Sequence, residues 1–273
     1  MAQQTRKQTA SPVRPVYTIF EGLQYRLNWL QFAVAGLFLL AWYLLTLDST
    51  NAFIVAPPQA VAKEFLATLA DGTLLRHTGT TLIEIAFGLF FGVGTAFTLG
   101  VLIVRSRILE RAIGPYAVGF QAVPIVAIAP VLIRVFGPGL VTNGLISAFI
   151  VFFPMLVSTM VGLRNVDPDL REMMRSLSAT RWQIFTRLEL PGALPVLLGG
   201  LKISAILAVV GTVVGEALNS QAGLGYMIYL ARYVYDTSAV YVGIFSLTAL
   251  ALILYEIVAR IERRALRWQR AGH

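Results

Sequence analysis

Long uncharged hydrophobic stretches alternate with short charged segments along most of the chain. A helix needs about 20 apolar residues to cross the hydrocarbon core of a bilayer. The alternation predicts six spanning helices, over residues 30–47, 78–104, 113–136, 140–163, 196–218 and 239–259. We therefore expect an all-α integral membrane protein with about six transmembrane helices. Its membrane domain covers residues 30–260, between an N-terminal tail of residues 1–29 and a C-terminal tail of residues 261–273.

Composition supports the membrane class and argues against several kinds of function. The chain of 273 residues is 57% hydrophobic and only 13% charged, with a mean hydropathy of +0.72, whereas about a quarter of the residues in soluble domains are charged. Cysteine is absent, so neither a disulfide framework nor a cysteine-ligated metal is expected. His77 and His273 are remote in sequence, and the chain has no zinc spacing, Walker phosphate loop, paired carboxylates or Ser-His-Asp arrangement. We expect no catalytic residue, metal or cofactor.

The net charge of +8 is distributed in a way that indicates topology and not nucleic-acid binding. Seventeen of the 22 lysines and arginines fall in residues 1–29, 105–111, 164–191 and 260–273. These segments share one side of the membrane when six spans are drawn, and cytoplasmic loops are the ones enriched in Lys and Arg. We therefore expect both termini and the loop of residues 164–195 in the cytoplasm.

The third predicted span is interrupted by three prolines, Pro115, Pro124 and Pro130. Proline removes a helical donor and tends to kink the helix. Such a helix is tolerated in a membrane where protein or water satisfies the freed carbonyls. We interpret it as part of a solute pathway, together with an aromatic cluster in the fourth span, although phenylalanines there would also suit plain packing. The candidate pathway residues are Phe120, Gln121, Pro124, Phe152 and Phe153.

The second predicted span contains small residues at GxxxG spacing, Gly88 and Gly92, with Gly94 and Gly100 as further small positions. Small residues let helix backbones approach closely in lipid, so close packing is expected here. Glu84 lies in the same span. An ionisable group in a span should face protein or water, and for this one we favour a place near the outer interface.

A long polar loop between the fourth and fifth spans reads DPDLREMMRSLSATRWQIFTRLELP, from Asp167 to Pro191. Asp167 suits an N-cap, and Pro168 suits the first helical position. The next residues have apolar side chains at helical spacing, which predicts an amphipathic helix; they are Leu170, Met173, Met174 and Leu177. Thr180 with Gln183 has capping-box spacing and predicts a second short helix, ended by Pro191.

This loop resembles the cytoplasmic "EAA" loop of permease subunits of binding-protein-dependent ABC importers. That motif runs Glu-Ala-Ala, three residues, Gly, nine residues, Ile, one residue, Leu-Pro. Here Glu172 occupies the Glu position, two methionines replace the alanines, Ser178 replaces the Gly, and Leu188 replaces the Ile. The motif closes with Leu190-Pro191 at full spacing. The coupling residues that the resemblance implies are Glu172, Met173, Met174, Ser178, Ala179, Leu188, Leu190 and Pro191.

The likeness extends from about residue 78 to 226 and is similar to the subfamily that imports nitrate, sulfonates, taurine, thiamine-precursor pyrimidines and riboflavin. The pieces LPGALPVLLGGLKI, VVGEAL and GLGYMI carry it. The resemblance implies a type I ABC importer permease fold in a prokaryotic cell membrane. It also implies three kinds of partner: ATP-binding subunits, a second permease copy or homologue, and an extracytoplasmic solute-binding protein.

The function expected from the resemblance is passage of a small organic solute, with ATP hydrolysis in a separate subunit. The likeness is strongest to members that import heteroaromatic molecules such as riboflavin or thiamine-precursor pyrimidine, with sulfonate, taurine or nitrate as the alternative. An ATP-independent secondary transporter is the rival class, but no clear internal repeat supports it. Two loop aromatics, Trp182 and Phe185, fit either a partner groove or packing against the chain's own helices.

Overall fold

The computed structural model describes residues 33–34, 36–46 and 55–267, and the regular structure in these residues is helical throughout. The chain divides into two compact units, Met1–Pro58 and Gln59–His273. In the first unit, helix α1 covers Gly36–Leu45, and the Trp42 indole Nε1–H donates to the Ala56 carbonyl at 3.1 Å. The expected N-terminal tail, both ends of the expected span 30–47, and residues 268–273 of the C-terminal tail lie outside the described residues.

The remaining helices follow in chain order as α2 (Pro58–Ala70), α3 (Thr73–Val104), α4 (Arg107–Gly119), a 3-10 turn (Phe120–Ala122), α5 (Ile125–Phe136), α6 (Leu140–Arg164), α7 (Pro168–Ser176), α8 (Arg181–Ile184), a π-helical segment (Phe185–Glu189), α9 (Leu190–Asn219), α10 (Leu224–Tyr233) and α11 (Thr237–Ala265). Within the described residues, four helices are long and apolar enough to cross a membrane. They are α3, α6, the continuous stretch Arg181–Asn219, and α11. The bent pair of α4 and α5 gives a fifth if it counts as one span.

The expected third span, 113–136, is not one kinked helix. Its two halves, Arg107–Ala122 and Ile125–Phe136, meet at 96°. Of the three prolines, Pro124 causes the break. It stands before α5, and Val123 is extended, with ψ 122°, because a residue before proline is pushed out of the helical region. Pro115 and Pro130 lie inside α4 and α5.

The expected stop at Pro191 is wrong, because the chain stays helical from Arg181 to Asn219. Pro191 lies in the first turn of α9, immediately after the π-helical segment. Proline lacks the amide hydrogen that a regular helix would use at this position. A π-helical segment shifts the hydrogen-bond register by one residue, and this shift accommodates the proline without ending the helix. The helix that contains the fifth expected span therefore begins at Arg181, before residue 196.

Helix α6 lies at the centre of the second unit and packs along both α3 and α9. The expected close approach at the GxxxG positions is confirmed, since Gly88 and Gly92 face Ser147 and Ala148 of α6. Gly94, by contrast, has no neighbouring atom within 4 Å of an added Cβ. The bundle has two ends. We call the end with residues 105–106 and 165–190 the coupling end, and the end with residues 137–139 and 220–236 the far end.

We predict opposite outcomes for the same substitution at two glycines of α3. In Gly92→Ala the new Cβ would lie 2.7 Å from the Ala148 carbonyl oxygen and 3.0 Å from its Cα, so the two helices must separate. In Gly94→Ala the Cβ meets open space, and alanine favours the helix by about 1 kcal/mol over glycine. Thermal unfolding of the purified protein in detergent should show a lower midpoint for Gly92→Ala only. Equal midpoints would contradict the packing described here.

Candidate functional site

The polar loop at the coupling end contains the two short helices that the sequence predicts. We call residues 165–190 the coupling segment. Helix α7 begins as expected, since Asp167 Oδ1 accepts the Asp169 N–H at 2.9 Å and Pro168 occupies the first turn. Helix α8 begins with the expected capping box. The Gln183 N–H donates to Thr180 Oγ1 at 3.3 Å, and the Thr180 N–H donates to Gln183 Oε1 at 2.7 Å.

The bend between these helices explains the glycine of the family motif. Ser178 takes a left-handed conformation with φ 58°. The Ser178 N–H donates to the Arg175 carbonyl at 2.9 Å, and the Ala179 N–H donates to the Met174 carbonyl at 3.0 Å. This pair of bonds is the Schellman ending of a helix, in which glycine is preferred at the left-handed residue. Ser178 therefore occupies a glycine position and is strained there by roughly 1–2 kcal/mol.

Three charged residues fasten the coupling segment to the bundle, and the sequence reading assigned them no role. The buried Glu189 forms ion pairs with Arg171 of α7 at 3.2 Å and with Arg105 at 2.9 Å. Arg171 Nη2 also donates to the Leu163 carbonyl at the end of α6, at 2.6 Å. Glu189 is the buried member, while the Arg105 and Arg171 side chains are 46% and 22% exposed. Water therefore screens the pairs, and breaking one costs less than breaking a fully buried pair, which costs about 3–5 kcal/mol. The network ties α7 to α6 and α9.

The opposite side of α7 presents apolar side chains to the surface. Met173 is 52% exposed and Leu177 71%, and Leu170 is exposed beside them. Trp182 of α8 is 70% exposed. We call Leu170, Met173, Leu177 and Trp182 the coupling face. The ring centres of the two loop aromatics, Trp182 and Phe185, are 5.9 Å apart, but their surroundings differ. Phe185 packs on the chain's own core, with the Arg105 guanidinium carbon 5.2 Å from its ring centre, whereas Trp182 stays on the surface.

The residues matched to the EAA motif do not all share this surface. Glu172, Met173 and Ser178 are exposed on or beside α7, and Met174 and Ala179 are half-buried next to them. Leu188 lies in the π-helical segment and Leu190-Pro191 begins α9, and all three are half-buried. The last part of the motif therefore builds the junction between the coupling segment and the span that follows.

The candidate pathway residues gather at the break between α4 and α5. A cavity of about 330 Å³ is lined by Phe120, Gln121 and Pro124 from the break, by Phe149 and Phe153 from α6, and by neighbours that include Leu207 of α9. The rings of Phe120 and Phe153 stack, with centroids 5.3 Å apart and planes 13° apart. Phe149 meets Phe153 edge to face at 5.4 Å. The break thus opens an aromatic cavity beside the central helix.

Phe152 is the candidate that does not line this cavity. It meets Phe153 edge to face at 5.0 Å but packs against the core cluster around Met155 and Leu156. The chemistry of the cavity is apolar and aromatic, with the Gln121 amide as its side-chain hydrogen-bonding group. Within the described residues, no cluster of three or more His, Cys, Asp or Glu could hold a metal ion.

The expectation for Glu84 is only partly right. Its place in the first half of α3 is near the far end, but its side chain is enclosed by protein at 1% exposure. It lies beside Asn143 of α6 and Glu216 of α9. The sequence offered one signal for this cluster, namely two acidic residues inside hydrophobic spans. It did not show that the two spans bring them together.

Comparison with protein families decides the class of the chain. Residues 79–267 match the family described as "Binding-protein-dependent transport system inner membrane component". The chain belongs to this family. It is a multi-pass membrane protein of the ABC importer permeases, which implies the prokaryotic inner membrane, and its fold is the type I permease fold.

Three curated relatives align over most of their length. The riboflavin transport system permease protein of Chloroflexus aurantiacus is 37% identical over 82% of this chain and 84% of its own. The formylaminopyrimidine transport permease protein of Halalkalibacterium halodurans is 31% identical over 74% and 81%. The putative aliphatic sulfonates transport permease protein of Bacillus subtilis is 31% identical over 82% and 81%.

A solved structure of the MetNI methionine ABC transporter, in an inward-facing conformation, has the same fold. It superposes with a TM-score of 0.63 at 24% identity, covering 71% of this chain and 96% of the other. At this identity the likeness concerns the fold and not the solute.

We predict that Ser178→Gly stabilises the protein by about 1 kcal/mol, because glycine adopts the left-handed conformation without the Cβ penalty. The control is Ser176→Gly, the same change at the last residue of α7, where glycine should cost roughly 0.5 kcal/mol because it favours a helix less than serine does. The measurement is the unfolding midpoint of each purified variant. A destabilised Ser178→Gly protein would contradict the Schellman ending.

Proposed function

We propose that this permease carries a planar heteroaromatic solute, such as riboflavin or a thiamine-precursor pyrimidine, delivered by an extracytoplasmic binding protein. The observation that supports the solute class is the aromatic cavity at the break between α4 and α5. Stacked and edge-on rings at Phe120, Phe149 and Phe153 offer flat apolar surfaces, and Gln121 offers an amide at the rim. Flat aromatic solutes bind well to such surfaces, and two of the similar permeases are named for riboflavin and formylaminopyrimidine.

ATP hydrolysis belongs, in this proposal, to separate subunits that dock on the coupling face. Exposed apolar side chains in an otherwise polar segment favour a partner surface, because a short amphipathic helix can lie in a hydrophobic groove. The side chain of Met173 adapts its shape easily and suits such a contact. Within the described residues Glu172 forms no ion pair, so its carboxylate is open to a cationic group of the partner.

A second permease copy or homologue would complete the pathway. The side chains of Phe120, Gln121 and Val123 are exposed at the mouth of the cavity, so the described residues leave one side of it without a wall. We place the coupling end in the cytoplasm on the strength of the Lys and Arg distribution. The binding protein would then meet the far end, where a wide depression of about 770 Å³ is lined by Tyr229, Tyr233 and Asp236.

Sulfonate, taurine or nitrate is the second candidate solute class, because a sulfonate permease aligns at 31% identity. Small anions would call for cationic or amide donors in the pathway. The cavity at the break has one amide side chain and no Lys or Arg among its lining residues, which favours the aromatic class. An ATP-independent transporter is disfavoured by the family to which the chain belongs.

The docking proposal predicts that Met173→Glu weakens association with the ATP-binding subunits. A carboxylate at the centre of the coupling face would lose its hydration on docking, which is unfavourable. Each 1.4 kcal/mol of this cost weakens the affinity about tenfold. Ser176→Glu is the matched control, since it adds the same charge on the polar side of α7. We would compare pull-down of the ATP-binding subunits per permease in the membrane. Equal losses in both variants, or none in either, would contradict docking at this face.

The solute proposal predicts that Phe153→Leu lowers riboflavin uptake about fivefold, because loss of a stacking surface costs about 1 kcal/mol. Phe90→Leu is the control, the same change on a ring of α3 that is 74% exposed on the outer surface of the bundle. Uptake of labelled riboflavin, formylaminopyrimidine and taurine by vesicles with the full transporter is the measurement. Uptake of taurine without uptake of either aromatic solute would overturn the proposed class.

A further inference from the structure

Two carboxylic side chains are buried in one polar cluster near the far end of the bundle. Glu84 of α3 is 1% exposed and Glu216 of α9 is 0% exposed. They share one polar cluster: Thr81, three residues before Glu84, donates to Glu216 Oε1, and Asn143, which donates to Glu84 Oε1, packs against Gly215 beside Glu216. Neither belongs to the coupling face or to the aromatic cavity, so the proposed function gives them no role. A buried carboxylate needs compensation for its lost water, and two of them need an explanation.

Glu216 has the hydrogen-bond pattern of an ionised carboxylate. Its Oε1 accepts the Thr81 hydroxyl at 2.6 Å, and its Oε2 accepts the Gly225 N–H at 2.6 Å. The Thr81 hydroxyl also lies 3.1 Å from the His77 carbonyl, and its shorter contact is the one with Glu216. With that hydrogen on the shorter contact both oxygens of Glu216 accept, as in an ionised carboxyl. Thr81 Oγ1 in turn accepts the Leu224 N–H at 2.8 Å.

Glu84 has a different pattern. Its Oε1 accepts an N–H of the Asn143 amide at 2.9 Å. Its Oε2 is fully buried and has no hydrogen-bond partner. An unpaired oxygen of an ionised carboxylate at this depth would be strongly unfavourable. The same oxygen becomes a donor if it carries a proton, and the carboxylate beside it is an acceptor.

No positive charge nearby balances the pair. Within the described part of the chain, neither Glu84 nor Glu216 forms an ion pair with Lys or Arg. His77 of α3 accepts the Gly223 N–H through Nδ1 at 2.9 Å, which requires a neutral ring at that nitrogen. The other groups near His77 are the adjacent Arg76 and the Tyr226 ring, whose centroid is 6.1 Å away. On α6 the facing side chain is the uncharged Asn143 amide.

We propose that Glu84 and Glu216 bind a single proton, carried on Glu84 Oε2 and donated to the carboxylate of Glu216. Two like charges within one small buried cluster cannot both be ionised at low cost. One proton removes that repulsion and satisfies the one unpaired oxygen. The pair then carries one negative charge, which is held by the Thr81 hydroxyl and the Gly225 amide.

The protonated pair fastens the far-end segment of residues 220–225 to the central helices. Asn143 Nδ2 donates to Ser220 Oγ at 2.5 Å as well as to Glu84, so one amide joins the carboxyl pair to this segment. Gly223, with φ +112°, lies so close to the Glu216 carboxyl that an added Cβ would collide with it. Glu84 thus acts as a positioning residue. Its proton allows Glu216 to remain buried and to hold the start of α10.

Because the proposal places the proton on Glu84 and the negative charge on Glu216, the same Glu→Gln change should have different effects at the two positions. In Glu84→Gln the amide can accept from Asn143 and donate to Glu216, so it reproduces the protonated acid. In Glu216→Gln one acceptor becomes a donor and must face either the Thr81 hydroxyl or the Gly225 N–H. We expect Glu84→Gln to keep the wild-type unfolding midpoint. We expect Glu216→Gln to lower it and to increase labelling of a cysteine at Ala222 by about tenfold as the segment opens.

The proton itself is observed by infrared spectroscopy of the purified full-length protein in heavy water. The carbonyl stretch of a protonated carboxylic acid should be present in the wild type, absent in Glu84→Gln, and retained in the control Glu110→Gln. A band that survives Glu84→Gln, or a Glu84→Gln protein as unstable as Glu216→Gln, overturns the proposal. A wild-type protein that lacks this band, and whose unfolding midpoint rises only when sodium is added, also overturns the proposal. If Glu216→Gln does not accumulate, the infrared comparison of the wild type with Glu84→Gln decides alone.

Discussion

Close packing of α6 against α3 and α9 is the contact on which the other features depend. Lipid gives no hydrophobic driving force between helices, so short-range dispersion and internal hydrogen bonds hold such a bundle together. Gly92 of α3 and Gly215 of α9 both approach the backbone of α6. With the three axes this close, polar side chains from different helices can meet at the two ends. The ion-pair network around Glu189 is one result, and the carboxyl pair of Glu84 with Glu216 is the other.

One side of the coupling segment is attached to the bundle by Arg171, and the other side exposes apolar side chains. Arg171 forms an ion pair with Glu189, just before α9, and donates a hydrogen bond to the Leu163 carbonyl in the last turn of α6. A displacement of α7 must therefore move α6 and α9 with it, or break the ion pair with Glu189. Coupling between distant sites requires an element whose contacts differ between states. The apolar coupling face can make such contacts without disturbing the attachment on the other side of the helix.

The break at Pro124 also forms part of the wall of the aromatic cavity. A continuous helix from residue 113 to 136 would run past α6 and place no loop backbone beside it. The turn at 96° instead brings Phe120 against Phe153 and exposes Gln121 next to them. Non-helical backbone is tolerated at membrane depth where it lines a cavity or is buried in protein. The same residues that interrupt the helix therefore form the wall of the cavity.

The sequence by itself determined the features that depend on residues close together along the chain. Its hydrophobic runs gave the spans α3, α6, α9 and α11, and its caps gave the helices of the coupling segment, because periodicity and capping act within a few residues. Motif spacing gave the family. Only the tertiary structure decided which distant groups meet: it joined Arg171 to Glu189, buried Glu84 beside Glu216, and kept the helix intact through Pro191. These outcomes depend on distances between helices and on the register of a π-helical segment, and side-chain patterns along one chain do not encode either quantity locally.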